Sequence, residues 1–320
     1  MADAIAPFFS VVVPVYNRAQ VLARTLRSIL AQSEQDFEII VVDDGSTDDP
    51  QRVMNAIADP RIRLVRRENG GGGAARNTGI DLARGRFIAP LDSDDEFLPH
   101  HLETMRGLLQ DTTDTVGYGR VLVDRGGSRI FVKPPRAIGP GEHMATYLMC
   151  DRGFVPTITV VVPTELAKHV RYHENLRCSE DSDFALRLYL AGAKFVMAEP
   201  PGGIWHDVYD PGRAAAGRDV LYLIPWLEKL RPQIPPAAYY GCRGWKIAKG
   251  VVTRDVFEAL RLYLTALGHG CYRPRLAAVV FTQIFMPDRA YRRLADLVVA
   301  LRKIGRRPAP APIPNADRAC

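Results

Sequence analysis

The chain has 320 residues and a hydrophobic fraction of 47%, which is enough for one large domain with a sizeable core and an appendage. Its net charge of +6 comes from basic residues that are spread along the chain and become denser only toward the C-terminus, which argues against a nucleic-acid partner and favours weak attraction to an anionic membrane surface. The five cysteines form no CxxC pair, so we expect a reducing, cytosolic compartment and no cysteine-based zinc site.

The hydropathy pattern indicates neither export nor a membrane span. The first residues lack the basic and apolar regions of a signal peptide. The longest uncharged apolar run in the C-terminal part, residues 276–287, is too short to cross a bilayer. The pattern therefore predicts a soluble or peripheral protein.

The N-terminal part of the chain alternates strand and helix patterns. Residues 8–15 and 37–42 are nearly continuous apolar runs, which are typical of strands buried on both faces of a parallel sheet. Residues 21–30 carry apolar side chains at the spacing of an amphipathic helix. This order predicts a right-handed βαβ unit, whose two strands end at the edge where such sheets bind ligands.

A run of four glycines follows the next predicted helix and strand, residues 53–57 and 62–65. The glycines, residues 70–73, lead into a helix pattern over 74–83, and a glycine-rich loop that opens a helix can hold phosphate with its backbone N–H groups. No Gly-Lys-Ser/Thr follows, and the run is not a GxGxxG after a strand, so neither nucleotide motif is predicted.

An acidic cluster follows the strand predicted over residues 86–91. Asp92, Asp94, Asp95 and Glu96 place four carboxylates within five residues. Because carboxylates this close repel one another, one explanation is a divalent cation, for which oxygen ligands favour Mg²⁺ or Mn²⁺ together with a phosphate-bearing substrate. The other explanation is an acidic turn that solvates the strand end and caps the next helix. The cluster alone does not decide between them.

The regularity decreases after this cluster. The predicted elements are a helix over 99–109, an antiparallel hairpin over 115–124 and 128–133, a long surface loop after 134, a β-rich stretch over 154–162, a helix opened by 179–183, a last strand over 194–198 and a loop over 202–207.

From about residue 214 onward, helical stripes alternate with breaks that contain proline or glycine. They cover residues 220–230, 251–267, 276–285 and 291–304. The helix pattern over 289–307 has one apolar side and basic residues elsewhere, so it fits either an anionic membrane surface or packing on the main domain with a solvated basic face. The proline-rich tail, residues 308–320, is predicted to be disordered.

Five short motifs occur in order along residues 8–210. They are Val13-Pro14-Val15-Tyr16-Asn17-Arg18, Val41-Val42-Asp43-Asp44-Gly45-Ser46-Thr47-Asp48, Asn69 with Ala74-Ala75-Arg76-Asn77-Thr78-Gly79, Leu91-Asp92-Ser93-Asp94-Asp95, and Glu180-Asp181. Together they resemble the successive signatures of family 2 glycosyltransferases. The resemblance implies a GT-A fold, which is a Rossmann-like α/β domain with a mostly parallel central sheet flanked by helices. It also implies a nucleoside-diphosphate sugar donor, a divalent metal and inversion of the anomeric centre.

Under this resemblance the strand ends supply the donor site. The candidate donor-binding residues are Pro14, Tyr16, Asn17, Asp44, Arg76, Asp92 and Ser93. Tyr16 would line the nucleobase, Asp44 would accept a hydrogen bond from a base N–H, and Arg76 would meet the base or a phosphate. The structural alternatives are a strand-end aromatic for Tyr16, a turn residue for Asp44 and a surface charge for Arg76.

The resemblance also favours a metal at the acidic cluster. Asp94 is the first choice as a ligand of Mn²⁺ or Mg²⁺, Asp92 the second and Asp95 the third, because a DxD pattern fits this cluster in more than one register. His206 is a further candidate near the metal or diphosphate. The family's usual Arg-x-His is replaced here by Ile204-Trp205-His206, and a hydrogen-bonded structural histidine is the alternative.

Inverting transfer needs one base that deprotonates the acceptor hydroxyl, while a metal stabilises the leaving diphosphate. The acidic residues at the start of the helix after residue 179 supply the candidates. The resemblance implies Asp181 as the base, with Glu180 beside it, in preference to Asp183. The alternative is helix capping by Ser179 with acidic first-turn residues.

The resulting hypothesis is a metal-dependent inverting hexosyltransferase in bacterial surface-polysaccharide synthesis. It would use a nucleoside-diphosphate sugar, with a UDP-sugar favoured, and a glycan or lipid-linked acceptor, in the cytoplasm or peripherally on the inner face of the plasma membrane. Residues 1–213 would form the nucleotide-sugar-binding catalytic domain. Residues 214–307 would form a helical extension that contacts the acceptor or the membrane surface, followed by the tail.

Two other functions compete with this hypothesis. A sugar nucleotidyltransferase predicts a glycine loop with Lys or Arg directly after the first strand, where this chain has Tyr16-Asn17. A sugar-nucleotide-binding domain without transferase activity predicts loss of the base or of the metal carboxylates, and both are present.

Overall fold

The computed structural model describes residues 6–126, 130–176, 179–207, 223–287, 290–291 and 293–294. The strands are β1 (Phe9–Val15), β2 (Phe37–Asp43), β3 (Ile62–Arg66), β4 (Phe87–Pro90), β5 (Glu96–Phe97), β6 (Thr115–Asp124), β7 (Ile130–Lys133), β8 (Val162–Pro163) and β9 (Lys194–His206). The helices up to the last strand are α1 (Ala19–Leu30), α2 (Pro50–Ile57), α3 (Gly72–Leu82), α4 (His101–Leu109), α5 (Met144–Met149), α6 (Thr164–Val170) and α7 (Glu180–Leu190). The helices beyond it are α8 (Leu223–Leu230), α9 (Pro236–Cys242), α10 (Ala248–Val251), α11 (Val256–Gly268) and α12 (Pro274–Phe285).

The central sheet has the strand order β3-β2-β1-β4-β8. The pairs β3–β2, β2–β1 and β1–β4 are parallel, and only β8 runs antiparallel to its neighbour. Every residue of β2 is buried, as its continuous apolar run predicts. Helix α3 lies so close to β1 that a Cβ atom on Gly79 would come within 2.3 Å of the Val12 side chain. The expected mostly parallel sheet flanked by helices is confirmed.

A second sheet, which the sequence did not predict as a unit, has the order β5-β9-β6-β7. The predicted hairpin is present as β6 and β7, whereas β6 and β9 are parallel. The expectation that residues 202–207 form a loop is wrong for all but the last of them, because β9 continues to His206 and pairs it with Asp124. Gly202 indicates the cause, since a Cβ atom there would lie 2.3 Å from His101 Nδ1. The glycine lets strand β9 pack closely against α4 and does not form a turn.

Two other expectations about the middle of the chain also fail. Residues 154–162 contain a 3₁₀ turn, Thr157–Thr159, and only one end of the two-residue strand β8. The supposed surface loop after residue 134 contains α5, most of which is buried in the core. Both elements are too short for hydrophobic periodicity to reveal.

The C-terminal helices pack on the α/β part of the chain. Apolar residues of α7, α8, α9, α11 and α12 belong to one buried cluster. The stripe predicted over 251–267 begins five residues late as α11, and α9 with the π-helical turn that follows it, Arg243–Ile247, was not predicted. The predicted tail, and the predicted basic helix over 289–307 apart from four residues, lie outside the described residues. None of the helices in the described ranges is long and apolar enough to cross a membrane.

Candidate functional site

Polar residues follow β1, β2 and β4 at one edge of the central sheet. Val15, the last residue of β1, pairs with Asp43 at the end of β2, and the backbone N–H of Leu91 beyond β4 donates to the carbonyl of Val12. Since the three strands are parallel, the segments that begin at Tyr16, Asp44 and Asp92 start from the same side of the sheet.

Asn17 holds the loops after β1 and β2 together. Its backbone is left-handed, with φ of 50°, and its N–H donates to Ser46 Oγ at 3.0 Å. Its side-chain oxygen accepts from the backbone N–H of Thr47 at 2.8 Å. Tyr16 beside it is 50% exposed, which leaves a ring face open to a ligand, whereas Pro14 is half-buried within β1.

Asp44 is buried, and its carboxylate accepts hydrogen bonds from the backbone N–H groups of Gly70 at 3.0 Å and Gly71 at 2.8 Å. Arg67 Nε lies 3.4 Å from the same carboxylate. Gly71 has φ of 90°, a conformation that a side chain would strain. The structure thus places Asp44 as the anchor of the glycine-rich loop.

The acidic cluster is a turn held by α1. The Thr25 hydroxyl, completely buried, lies 2.8 Å from the carbonyl oxygens of both Ser93 and Asp95. Arg18 forms an ion pair with the Asp94 carboxylate, and Arg24 donates to the Asp94 carbonyl at 2.7 Å. The backbone conformation of the turn is therefore fixed by protein contacts on its α1 side.

Asp92 and Asp94, two accessible carboxylates of this turn, fit a divalent cation that also binds a diphosphate. The side chains of Asp92 and Asp94 are 33% and 20% exposed, while Asp95 is buried and accepts from the backbone N–H of His206 at 2.8 Å. Within the described ranges, no three acidic, histidine or cysteine side chains assemble into a metal site by themselves. Mg²⁺ and related ions bound to diphosphates commonly take only one or two protein carboxylates, so this donor set suits such an ion.

His206 lies between two other carboxylates. Its Nε2 is 2.8 Å from Glu96 Oε1 and its Nδ1 is 3.8 Å from Asp124 Oδ2. These contacts give both ring nitrogens an acidic neighbour within the protein, as expected for the structural alternative. A role as a metal ligand stays a prediction.

Arg76 connects the acidic turn with α7. Its guanidinium is 2.5 Å from Asp92 and 2.8 Å from Glu180, and it lies over the ring of Tyr172 at 5.2 Å. Burial opposes the charge, but the neighbouring carboxylates raise the pKa of Arg76 above its usual range. The prediction of a surface charge as the alternative is therefore wrong, because Arg76 is only 8% exposed.

The three acidic residues in the first turn of α7 have different partners. Glu180 pairs with Arg76, and Asp183 is buried with Arg187 at 2.6 Å and Trp226 Nε1 at 2.7 Å. Asp181 instead accepts a hydrogen bond from the backbone N–H of Ser182 at 2.7 Å. Burial raises the pKa of the Asp181 carboxyl, and the ammonium of Lys246 opposes that rise.

Two residues near this carboxylate were missed by the motifs. Tyr172 stacks on Phe184 at 4.0 Å and its buried hydroxyl has no hydrogen-bond partner in the described part of the chain. Lys246, from the π-helical turn, has its Nζ 3.5 Å from Ser179 Oγ. Neither belongs to a recognisable motif, and Lys246 lies in a segment whose helices the sequence did not resolve.

The comparisons with known proteins agree with this arrangement. A family model described as glycosyl transferase family 2 matches residues 10–167. The amylovoran biosynthesis glycosyltransferase AmsB of Erwinia amylovora is 33% identical over 252 residues, which cover 75% of this chain and 83% of that protein.

Two solved structures share the fold. TarS 1-349 of S. aureus in complex with UDP-GlcNAc has a TM-score of 0.59 at 18% identity and covers 94% of this chain and 93% of its own. The mannosyltransferase PcManGT of Pyrobaculum calidifontis in complex with GDP-Man and Mn²⁺ has a TM-score of 0.54 at 18% identity and covers 94% and 87%. The architecture is accordingly the GT-A glycosyltransferase fold. The chain belongs to glycosyltransferase family 2.

Proposed function

We propose that this protein is a metal-dependent inverting glycosyltransferase that uses a nucleoside-diphosphate sugar, with a UDP-sugar favoured, and a glycan or lipid-linked acceptor. One observation carries the proposal: Arg76 bridges Asp92 of the acidic turn and Glu180 of α7, so the carboxylates of the acidic turn and the half-buried Asp181 belong to one site. A scaffold that only binds nucleotide sugars would have no need for a second acidic group next to the donor site.

In the proposed reaction, the carboxylates on the two sides of Arg76 have different roles. Asp181 accepts the proton of an acceptor hydroxyl, whose oxygen then forms a bond to the anomeric carbon while the bond from that carbon to the diphosphate oxygen breaks. Asp94 and Asp92 would hold a divalent cation, which supplies charge stabilisation to the departing diphosphate. A single base is enough, because the leaving group needs no proton.

The donor would lie along the sheet edge. Tyr16 would contact the nucleobase through its exposed ring. If Asp44 also accepts a hydrogen bond from the base, its carboxylate must bind the base and the glycine-rich loop at the same time. Three further candidates would contribute to donor binding through the backbone conformation of their segments, namely Pro14, Asn17 and Ser93.

The pathway, location and domain division are proposals too. The name of the AmsB relative refers to amylovoran biosynthesis, which supports a role in bacterial surface-polysaccharide synthesis. We infer a cytoplasmic location, peripheral at the membrane, with residues 1–213 as the catalytic domain and residues 214–307 as the extension that contacts the acceptor.

A donor panel tests the proposal. The purified chain would be incubated with UDP-, GDP- and dTDP-sugars, with Mn²⁺, with Mg²⁺ or with EDTA, and release of nucleoside diphosphate measured. We expect turnover of one nucleotide class, stimulated by metal and abolished by EDTA. If the protein neither binds nor turns over any member of the panel, the proposed function is contradicted. Turnover that EDTA does not change would contradict the metal dependence.

A further inference from the structure

The C-terminal helices reach the candidate base through one unusual turn. Residues Arg243–Ile247 form a π-helical turn, a rare conformation that occurs frequently at functional sites. Gly244 within it faces α11, because a Cβ atom there would lie 2.3 Å from the Cβ of Ala266 and 3.1 Å from the Leu262 carbonyl oxygen. Residues two apart on a helix lie on roughly opposite faces. Lys246 accordingly points away from α11, and its Nζ lies 3.5 Å from Ser179 Oγ.

The position of the Lys246 ammonium is unfavourable for a cation unless an anion is close. Ser179 precedes the first turn of α7, where the helix dipole is positive and repels an ammonium group. Lys246 forms no direct ion pair with a carboxylate among the described residues. The nearby anion is Asp181, which lies two residues after Ser179 in the first turn of α7. The Lys246 ammonium correspondingly lowers the pKa of the Asp181 carboxyl, against the effect of burial.

The other charged groups around Asp181 interact with further partners. Arg76 is shared between Asp92 and Glu180, and those two carboxylates repel Asp181. Lys133 from β7 also acts on Asp181, but its ammonium lies over the rings of Phe131 and Trp205 at 5.5 and 5.2 Å. The Tyr172 hydroxyl is a further titratable neighbour.

The position of the turn relative to α7 is fixed by packing. Asp183, two residues after Asp181, accepts a buried hydrogen bond from Trp226 Nε1 of α8 at 2.7 Å. Ile247, next to Lys246, is buried in the same apolar cluster as Phe184 of α7. Both ends of the Lys246–Asp181 pair are thus carried by elements that share one core.

We propose that Lys246 is a positioning residue that places its ammonium beside the first turn of α7 and keeps Asp181 ionised for proton abstraction, so that the C-terminal helices complete the active site. This inference rests on the proposed function, because it requires Asp181 to be the base. It assigns a catalytic consequence to a segment that lies beyond the residues matched by the family model.

The first test measures the carboxylate directly, without substrate or metal. The full chain, labelled with ¹³C at the aspartate carboxyl carbons, would be titrated by NMR, and the Asp181 resonance assigned by its loss in Asp181→Asn. We expect Lys246→Met and Lys246→Gln to raise the pKa of Asp181, Lys246→Arg to restore it, and Lys249→Met, an exposed lysine one turn away, to leave it unchanged. An unchanged Asp181 pKa in both neutral variants would overturn the inference.

The second test measures catalysis with the nucleotide sugar that is turned over in the donor panel and with water as the acceptor. Loss of the ammonium should move the acid limb of kcat/KM to higher pH, with about a tenfold loss at acidic pH that disappears at alkaline pH. Donor affinity should not change. Weaker donor binding with an unmoved acid limb would instead make Lys246 a substrate-binding residue and overturn the inference.

The two proposals fail in different ways. If Asp181→Asn keeps full activity, Asp181 is not the base and the proposed mechanism fails, whatever the titration shows. If Asp181→Asn is inactive but the neutral Lys246 variants titrate like the parent, only the inference about Lys246 fails. Far-UV circular dichroism of each variant would verify that it is folded before either conclusion is drawn.

Discussion

Asp181 differs from its acidic neighbours Glu180 and Asp183 in the partners that surround its carboxylate. Arg76 neutralises Glu180, and Arg187 with Trp226 binds Asp183. The half-buried Asp181 carboxylate instead accepts from a backbone N–H and lies near a more distant ammonium. A raised pKa makes a carboxylate a stronger base, and enzymes commonly tune catalytic carboxylates in this direction.

We predict that Asp181→Asn lowers kcat for sugar transfer by about 10²- to 10⁴-fold, which is the usual contribution of a general base. Donor affinity, measured by calorimetry with Mn²⁺, should stay within experimental error because Asn preserves the shape of the side chain. Asp183→Asn is the comparison, and it should act mainly through stability. A large loss of donor binding in Asp181→Asn would move Asp181 into the metal site.

The same substitution should raise stability at neutral pH. Because burial raises the pKa of Asp181 in the folded state, the folded protein binds this proton more tightly than the unfolded chain, and stability falls as pH rises from the unfolded toward the folded pKa. Above the folded pKa, Asp181→Asn should therefore have the higher Tm, and below the unfolded pKa the difference should vanish. Equal melting curves across pH would show that ionised Asp181 costs no folding free energy.

Helix α1 controls the acidic turn without supplying a ligand. The Thr25 hydroxyl contacts two carbonyl oxygens of the turn, so its removal leaves buried acceptors without a donor. The orientation of Asp92 and Asp94 depends on this backbone.

We predict that Thr25→Val destabilises the protein by about 1–3 kcal/mol and weakens Mn²⁺-dependent donor binding several-fold. Thr265→Val is the matched control, since its hydroxyl bonds only within α11, to the Arg261 carbonyl. Urea unfolding and donor titration would measure both effects. Donor affinity unchanged in Thr25→Val would separate the turn from the donor site.

At this scale the sequence predicted some elements much better than others. The continuous apolar runs of β1 and β2 are easy to recognise as strands, because few other structures bury nearly every residue of a seven-residue segment. The end of β9 was missed because Gly202 resembles a turn residue until its contact with His101 is known. The sequence predicts no helix at α9 because Pro236 lies in a proline-containing break between two helical stripes, although proline is well suited to the first turn of a helix.

The candidate site was predictable to the extent that its residues lie at strand ends. Tyr16, Asp44 and Asp92 follow strands whose parallel order is readable from periodicity. Two other features depend on how elements distant in sequence pack together: the pairing of Arg76 with Asp92 and Glu180, and the approach of Lys246 to α7. No local sequence pattern predicts such packing.

The whole molecule is held together across the predicted boundary at residue 213. Trp226 donates from α8 to Asp183 in α7, and the apolar side chains of both helices lie in one cluster. The C-terminal helices are thus part of the support of the candidate site.

We predict that Trp226→Phe lowers stability by about 1–3 kcal/mol, because the ring is replaced by a similar one while the buried Asp183 loses a hydrogen bond. Transfer activity should fall as well, since the first turn of α7 carries Asp181. Trp245→Phe removes a less buried bond, to Gln283, and should cost less stability in the same urea titration. A larger loss for Trp245→Phe would contradict the importance of the α7–α8 contact.

The bond between Trp226 and Asp183 also bears on how new acceptor specificities can be engineered in such a protein. A chimera that joins residues 1–213 to the helices of a relative would replace the hydrogen-bond donor of the buried Asp183 carboxylate, together with the lysine that we propose acts on Asp181. Exchange of the C-terminal segment alone should therefore give weakly stable and poorly active proteins. Exchange of that segment together with α7 keeps both pairs intact, and we expect it to be the smallest functional cassette.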